Sequence, residues 1–209
     1  MTKTEYELSY WRHQALTGWP NEKPSKYRAY LDYFGLAPDD LTGKVVADVG
    51  AGPRGGILSV IAPSVGVVVD PLISEYVAAG VYSPPPGTVS VERHIQALEP
   101  GDLPVCDFIV CTNALDHHTG TVSTGEHLSG IDTMTSALRV GGTLLVHVHC
   151  RAHDDLDFGH DTSITAESLI LKARSAGLWI HKSMLHACDP VAGGPWPTLV
   201  VRCTKEPLC

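Results

Sequence analysis

Seven runs of apolar residues divide the chain from residue 44 onward. The runs are rich in Val, Ile and Leu, and most of them are separated by stretches with helical periodicity. Continuous apolar strands that alternate with helices predict a parallel sheet covered on both faces, which is an α/β fold. The predicted strands span residues 44–50, 65–70, 89–95, 106–113, 143–150, 178–187 and 197–205.

Helices are predicted between these strands at 55–64, 72–80, 123–139 and 165–177. The third of them places Leu128, Ile131, Met134 and Leu138 on one side, and Thr165 is a candidate N-cap for the fourth. Only the loop 188–197 separates the last two strands, so we expect these strands to form an antiparallel hairpin.

Residues 1–43 differ from the rest because they are rich in Tyr and Trp, and we expect them to form a helical cap on a main domain at 44–209. The segment 25–36 predicts a helix with Ser25 as its N-cap and Gly35 at its end. Tyr27, Tyr30 and Phe34 then share one face, which we expect to pack on the main domain.

Composition narrows the classes of partner. The 209 residues carry a formal net charge of -8, and no stripe gathers the basic side chains, so we expect no nucleic-acid partner. The first residues lack the apolar segment of a signal peptide, and no apolar run is long enough to span a membrane. The six cysteines include no CxxC pair. A cytoplasmic protein with a small-molecule ligand is the simplest expectation.

A glycine-rich turn follows the first strand and contains Gly50, Gly52 and Gly55 in GxGxxG spacing. Such a turn lets a nucleotide approach a helix N-terminus closely. Asp70 ends the second strand, where a carboxylate can accept hydrogen bonds from the two ribose hydroxyls of an adenosine. These features suit either NAD or S-adenosylmethionine.

Two neighbours of the turn favour the second ligand. The carboxylate of Asp48 would oppose a pyrophosphate, whereas it suits the cationic ammonium and sulfonium of S-adenosylmethionine. Pro53 removes an N–H that a phosphate cradle would use. The short chain also leaves little room for the separate substrate domain of a dehydrogenase.

The ordered segments DVGAGPRGG, VVVDPL, DFIVCTNALDHH and ALRVGGTLLVHV resemble the motifs of class I S-adenosylmethionine-dependent methyltransferases of the type 11-like group. The resemblance covers residues 44–150 by motif, and it extends to the end by strand order. It implies a Rossmann-like, doubly wound sheet of seven strands in the order 3-2-1-4-5-7-6 with strand 7 antiparallel. It also implies S-adenosylmethionine as the cofactor.

The resemblance implies a set of cofactor-binding residues. Many members of the family carry an acidic residue after the third strand that holds the adenine amine. This chain has Gln96 there, with Ala97 beside it, and an amide can also pair with adenine. The alternative is that Gln96 serves only the turn. The full expected set is Asp48, Gly50, Ala51, Gly52, Asp70, Pro71, Gln96, Ala97 and Asn113.

Candidate catalytic residues follow the fourth and fifth strands. His117, oriented by Asp116, is the first candidate for the general base that deprotonates a methyl acceptor. The alternative is that Asp116 caps the loop and the histidine is solvated. His147 and His149 share one face of the fifth strand, and His149 and His153 are the second choices for the base.

The stretch 147–161 is dense in His and Asp, a composition that could bind a divalent metal. Its spacing matches no metal signature, so we expect a polar lid over the acceptor pocket and no metal. His153 would then also contact the substrate.

The resemblance further implies an N-terminal helix that closes over the cofactor. Tyr6, Tyr10 and Trp11 are therefore the candidates for substrate contacts, and Trp196 in the last loop is a further one.

The leading functional hypothesis is methylation of a small molecule, with oxygen as the acceptor atom. The segment NALD at 113–116 stands where amino-methylating nucleic-acid enzymes usually carry an NPPY-like motif.

One alternative is a non-catalytic cofactor-binding regulator with a methyltransferase fold. Another is an NAD-dependent oxidoreductase, although neither Tyr76 nor Tyr82 begins the YxxxK pair of the short-chain family. A monomer or a homodimer is expected.

Overall fold

The computed structural model describes residues 2–19, 23–115, 128–150, 164–189, 191 and 196–207. Within this part of the chain, seven strands form one sheet. They are β1 (Val45–Val49), β2 (Val65–Val69), β3 (Val89–Val91), β4 (Cys106–Thr112), β5 (Leu138–His149), β6 (Leu178–His186) and β7 (Thr198–Lys205).

The strand order is β3-β2-β1-β4-β5-β7-β6, which confirms the predicted topology. Strands β1 to β5 pair in parallel, whereas β7 runs antiparallel to both β5 and β6. The carboxyl ends of the five parallel strands therefore meet at one edge of the sheet, where ligands bind in open α/β folds.

Five α-helices accompany the described part of the sheet: α1 (Lys3–Leu16), α2 (Pro24–Phe34), α3 (Ile73–Ala78), α4 (Gly130–Ala137) and α5 (Ala166–Ser175). Short 3-10 helices span Pro38–Leu41, Gly56–Val60 and Ile95–Ala97. The predicted cap at Thr165 is confirmed, because its side chain accepts a hydrogen bond from the Ser168 N–H at 3.0 Å. None of the described helices is long and apolar enough to cross a bilayer.

Several predicted boundaries were wrong for local reasons. The segment 55–64 forms only the 3-10 turn Gly56–Val60, since Gly56 has a positive φ and Pro63 prevents the helix from continuing. The third strand ends at Val91, and the 3-10 turn Ile95–Ala97 replaces the rest of it. The helix after β1 and the third strand, which both adjoin the ligand-binding edge of the sheet, are therefore shorter than predicted.

Two further boundaries differ at helix ends. The helix predicted at 123–139 ends at Ala137, because Leu138 and Arg139 already belong to β5. The N-cap of α2 lies two residues earlier than expected, at Lys23 and not at Ser25, and Pro24 stands in the first turn. Gly35 stands at the end of α2, as predicted, and its backbone there is left-handed.

Alternate residues of each central strand pack on opposite faces of the sheet. Val46 and Val110 join Tyr30 and Phe34 of α2 in one buried cluster, which confirms the predicted packing face of this helix. Ile109 belongs to the cluster on the other face, together with residues of α4 and α5. The N-terminal segment is thus anchored to the sheet by its apolar face.

Candidate functional site

A cavity of about 130 Å³ opens at the carboxyl ends of β1, β2 and β4. Pockets for small molecules usually enclose roughly 300–1,000 Å³, so the volume of this cavity is small. Helix α1 stands over it. Its lining includes Glu7, Trp11, Gly50, Gly52, Asp70, Pro71, Tyr76, Gln96, Asn113 and Ala114.

The glycine turn forms the floor of the cavity next to β1. Gly50 has a φ of 74°, and a Cβ atom added there would lie 2.1 Å from the Cβ of Ala114. Gly52 has a φ of 64°, and its added Cβ would lie 3.1 Å from Cζ2 of Trp11. The turn therefore depends on glycine both for its backbone conformation and for its close contacts.

Asp70 lies at the end of β2 with its carboxylate buried. Oδ2 accepts a hydrogen bond from the Gly52 N–H at 2.9 Å, and Oδ1 accepts one from the Leu72 N–H at 3.0 Å. The Tyr76 hydroxyl forms a further hydrogen bond with this carboxylate. Burial raises the pKa of Asp70 to about 6, and the charge of Glu7 contributes to that rise. Asp70 thus connects the glycine turn to the wall of the cavity.

Asp48 is buried beneath the same turn. Its Oδ2 accepts a hydrogen bond from the Ile57 N–H at 2.6 Å, whereas its buried Oδ1 has no partner among the described residues. Burial raises the pKa of Asp48 to about 8, and the neighbouring Asp70 adds to the shift. The side chain thus fixes the start of the 3-10 turn through Oδ2, and its Oδ1 can bind a ligand or a proton.

The raised pKa of Asp48 predicts a dependence of stability on pH. Folded Asp48 retains a proton that the unfolded chain releases near pH 3.8, so the stabilisation is present below pH 4 and is lost as pH rises through about 8. Relative to Asp48→Asn, the native protein should therefore lose about 1 kcal/mol of stability per pH unit between pH 5 and 7. Thermal denaturation of both proteins at pH 5, 6, 7 and 8 measures this difference, and parallel pH profiles would contradict it.

The residues expected to contact adenine separate in the structure. Gln96 lines the cavity, and its buried Nε2 has no hydrogen-bond partner among the described residues. Ala97 is exposed and borders a different surface depression. Pro71 lines the cavity, and Ala51 is buried beside the turn. Of Gln96 and Ala97, only Gln96 can therefore donate a hydrogen bond to a ligand in the cavity, through its Nε2.

Helix α1 covers the cavity with Glu7 and Trp11, which are four residues apart on one helix face. The Trp11 ring meets the Tyr76 ring edge to face, with centroids 6.3 Å apart. Tyr6 and Tyr10 are exposed to solvent and do not line the cavity. Of the three substrate contacts predicted in the N-terminal helix, the structure brings only Trp11 to the cavity.

A second polar cluster adjoins the cavity at Asn113, which has a φ of 51°. The Asn113 Nδ2 donates to the Tyr30 hydroxyl at 2.9 Å, and its Oδ1 lies 2.7 Å from His147 Nδ1. Asp189 contacts the next two groups: its Oδ2 lies 2.7 Å from His149 Nε2, and its Oδ1 lies 3.8 Å from His147 Nε2. Both histidines are buried, so this is a desolvated polar network.

Three predicted site residues, Asp116, His117 and His153, lie outside the described residues. Trp196 is partly buried next to β7. Among the residues that the structure describes, no group of three or more His, Cys, Asp or Glu side chains is arranged to hold a metal ion.

Two residues near the cavity and the histidine pair, Tyr76 and Asp189, were not predicted from the sequence. Tyr76 follows Asp70 by six residues in a helix, and this proximity in sequence could have indicated that it contacts the carboxylate. Asp189 comes from the loop after β6, forty positions from His149, and no sequence spacing links the two. The pairing of His147 and His149 on one strand face was predicted, and their ring centroids lie 6.2 Å apart.

The fold matches those of solved methyltransferases. N-methyltransferase NodS from Bradyrhizobium japonicum, solved with S-adenosyl-L-homocysteine, is 15% identical with a TM-score of 0.61, and the match covers 86% of each chain. The 1,6-didemethyltoxoflavin-N1-methyltransferase from Burkholderia thailandensis, solved with 1,6-didemethyltoxoflavin and S-adenosylhomocysteine, is 17% identical with a TM-score of 0.60, over 98% of this chain and 87% of that one.

A TehB-like S-adenosylmethionine-dependent methyltransferase from Corynebacterium glutamicum is also 17% identical, with a TM-score of 0.61 over 97% of this chain and 98% of that one. No family model and no curated protein matches the sequence. The chain thus has the Rossmann-like fold of class I S-adenosylmethionine-dependent methyltransferases, and at these identities the likeness shows the fold alone.

Proposed function

We propose that this protein is an S-adenosylmethionine-dependent methyltransferase that methylates a small molecule at oxygen. The observation that carries the proposal is the buried carboxylate of Asp70 beside the glycine turn, facing a cavity at the carboxyl ends of β1, β2 and β4. The topology supports it, because ligands of open α/β sheets bind at this edge.

The described residues fit an adenosyl ligand. Asp70 would accept hydrogen bonds from the ribose hydroxyls, and the buried Nε2 of Gln96 would donate to the adenine ring. The unpartnered Oδ1 of Asp48 and the turn at Gly50 and Gly52 would hold the methionine portion. Orphaned polar atoms at the positions expected from the motifs support this cofactor.

Electrostatics favours S-adenosylmethionine over a dinucleotide. Glu7 lies close enough to Asp70 to raise the pKa of its carboxyl group, and Asp70 in turn raises the pKa of Asp48. Glu7 and Asp70 thus place negative charge near the turn, which opposes a diphosphate and attracts a cationic ligand, whereas Asp48, with its pKa raised to about 8, is mainly protonated at pH 7. Pro53 has no N–H to donate, so the turn also lacks one of the donors that a diphosphate would use.

The proposal requires a movement of α1. The cavity is too small for a whole adenosyl ligand while the Trp11 ring stands against Gly52. We therefore expect Trp11 to shift outward when the cofactor enters and then to cover it. The cofactor-dependent change in tryptophan fluorescence should be lost in Trp11→Phe.

The acceptor is proposed to be a small hydroxylated molecule. S-adenosylmethionine supplies a methyl group on a sulfonium; its transfer forms an oxygen–carbon bond, breaks the carbon–sulfur bond with both electrons left on sulfur, and releases the hydroxyl proton. His149 stands at the end of β5 beside the cluster that reaches the cavity at Asn113. A histidine there can receive that proton, and His117 is the competing base.

An acceptor screen tests the proposal. The purified protein is incubated with S-adenosylmethionine and a panel of phenols, catechols, hydroxylated acids and amines, and the products are analysed by mass spectrometry. We expect at least one hydroxylated acceptor to gain one methyl group, with turnover lowered in either His149→Gln or His117→Gln at unchanged cofactor affinity. Cofactor binding without transfer to any acceptor would favour the regulatory alternative instead.

A further inference from the structure

Trp11, Tyr76 and Asp70 form a hydrogen-bonded chain, and all three residues line the cofactor cavity. An indole nitrogen only donates and an ionised carboxylate only accepts, so Trp11 Nε1–H donates to the Tyr76 oxygen and the Tyr76 hydroxyl donates to Asp70. Burial raises the pKa of Tyr76 above its usual range, so the hydroxyl retains the proton that it donates. The chain therefore connects helix α1 to the carboxylate at the end of β2.

Helix α1 has little apolar packing of its own. Among its residues only Gln14 is buried, whereas α2 buries four aromatic or aliphatic side chains. Leu8, Trp11 and Ala15 are partly buried against a small cluster that contains Tyr76. Elements with few buried apolar contacts open at a low cost in free energy. The hydrogen-bonded chain through Tyr76 thus helps to hold a weakly packed helix over the cavity.

Asp70 cannot accept all the donors that a bound ribose would add. A carboxylate offers about four lone-pair sites. The Gly52 N–H at 2.9 Å, the Leu72 N–H at 3.0 Å and the Tyr76 hydroxyl already use three of them. Two ribose hydroxyls would exceed the capacity, so one donor must leave. The two N–H groups are fixed by the backbone of the glycine turn and of the start of α3, so the Tyr76 hydroxyl is the donor that can leave.

We propose that Trp11 and Tyr76 form an autoinhibitory latch, a pair of side chains that holds α1 over the empty cofactor site until the ribose takes the place of the Tyr76 hydroxyl on Asp70. This inference rests on the proposed function. The closed position excludes the ligand, because the cavity is only about 130 Å³ and an added Cβ at Gly52 would lie 3.1 Å from the Trp11 ring. Release of Tyr76 from Asp70 breaks the chain, so α1 can move away and the cavity can widen.

Calorimetric titration with S-adenosylhomocysteine at pH 8, where Asp70 is ionised, tests the latch. Tyr76→Phe removes the hydroxyl and keeps the ring, so we expect affinity to rise about 2- to 12-fold, the scale of one net hydrogen bond that no longer has to break. Tyr82→Phe is the matched control. It removes a hydroxyl beside the same apolar cluster, one that pairs with Ser90 Oγ at 2.5 Å, and should leave affinity within about twofold.

The rate constants of binding distinguish a latch from a contact with the bound cofactor. A latch must open before the ligand enters, so its removal raises the fraction of protein that can bind. In stopped-flow measurements of tryptophan fluorescence, the gain in Tyr76→Phe should therefore appear in the association rate constant. An unchanged affinity, a lower affinity, or a gain carried only by slower dissociation would each overturn the latch, since Tyr76 would then orient Asp70 or act in the bound state.

The ligand-free protein reports on the closed latch independently of any cofactor. Trp11→Phe assigns the Trp11 indole N–H signal in ¹H–¹⁵N NMR spectra. In Tyr76→Phe without ligand, we expect this signal to shift and the backbone amides of α1 to exchange faster with solvent. A Trp11 signal and α1 amides that do not respond to Tyr76→Phe would overturn the latch.

The two proposals fail in different ways. Native protein that binds S-adenosylhomocysteine, with no gain in Tyr76→Phe, would overturn the latch alone. Native protein that binds no adenosyl ligand would overturn the proposed function and, with it, the release of the latch by ribose. The spectra of the ligand-free protein would still show in that case whether Tyr76 holds α1 in place.

Discussion

Asp70→Ala is expected to weaken binding of S-adenosylhomocysteine by about 10- to 150-fold, or roughly 1.5–3 kcal/mol. We propose that this carboxylate accepts hydrogen bonds from both ribose hydroxyls, and the Gly52 and Leu72 N–H groups hold it in place. Calorimetric titration of folded variant and native protein measures the loss. An unchanged affinity would remove Asp70 from the ribose site.

Two companion measurements separate this role from general damage. Tyr76→Phe deletes one hydrogen bond to the same carboxylate but keeps the ring against Trp11, so its affinity should not fall. For native protein, affinity should decline as pH is lowered through about 6, because burial raises the pKa of Asp70 to that value and a protonated carboxyl accepts fewer hydrogen bonds. An affinity that is flat from pH 8 to pH 5 would contradict the assignment.

Gly50→Ala is expected to lower the free energy of unfolding by about 2–5 kcal/mol. About 1–2 kcal/mol comes from placing a side chain at a φ of 74°, and about 1–3 kcal/mol comes from the overlap with Ala114, whose Cβ would lie 2.1 Å away. Chemical denaturation monitored by circular dichroism measures the loss. Ala114→Gly in the same chain should recover part of it by removing the overlap.

Gly80→Ala is the matched control for this substitution. Gly80 also has a positive φ, 69°, but no atom lies within 4 Å of its added Cβ, so only the backbone strain of about 1–2 kcal/mol should appear. Equal losses at Gly50 and Gly80 would mean that the close approach of the turn to Ala114 does not exist in solution.

The strands of the sheet could be predicted because each one is marked by a short apolar run of its own in the sequence. The stretches 45–49 and 108–111 are apolar at all positions but one, as is typical of a strand buried on both faces. The order of the strands came from the motif resemblance, since periodicity alone does not say which strands are neighbours. The failures lie at element ends, where Pro63, Gly56 and the β5 pairing of Leu138 override helical periodicity.

The candidate site was predictable where it follows strand ends. Gly50 and Asp70 close β1 and β2, and the parallel topology brings them to one edge. Asp189 was not predictable, because its contact with His149 depends on how the loop after β6 folds back toward the end of β5. Trp11 and Tyr10 are equal candidates by sequence, and only the docking of α1 places Trp11 at the cavity and leaves Tyr10 exposed.

The central claim is that the glycine turn and Asp70 hold an adenosyl cofactor and not a dinucleotide. Calorimetric titration of the purified protein with S-adenosylhomocysteine, S-adenosylmethionine and NAD, each with and without magnesium, tests it most directly. We predict saturable one-to-one binding of both adenosyl ligands and no binding of NAD. Binding of NAD, or of none of the three, would contradict the account and would assign this fold another function.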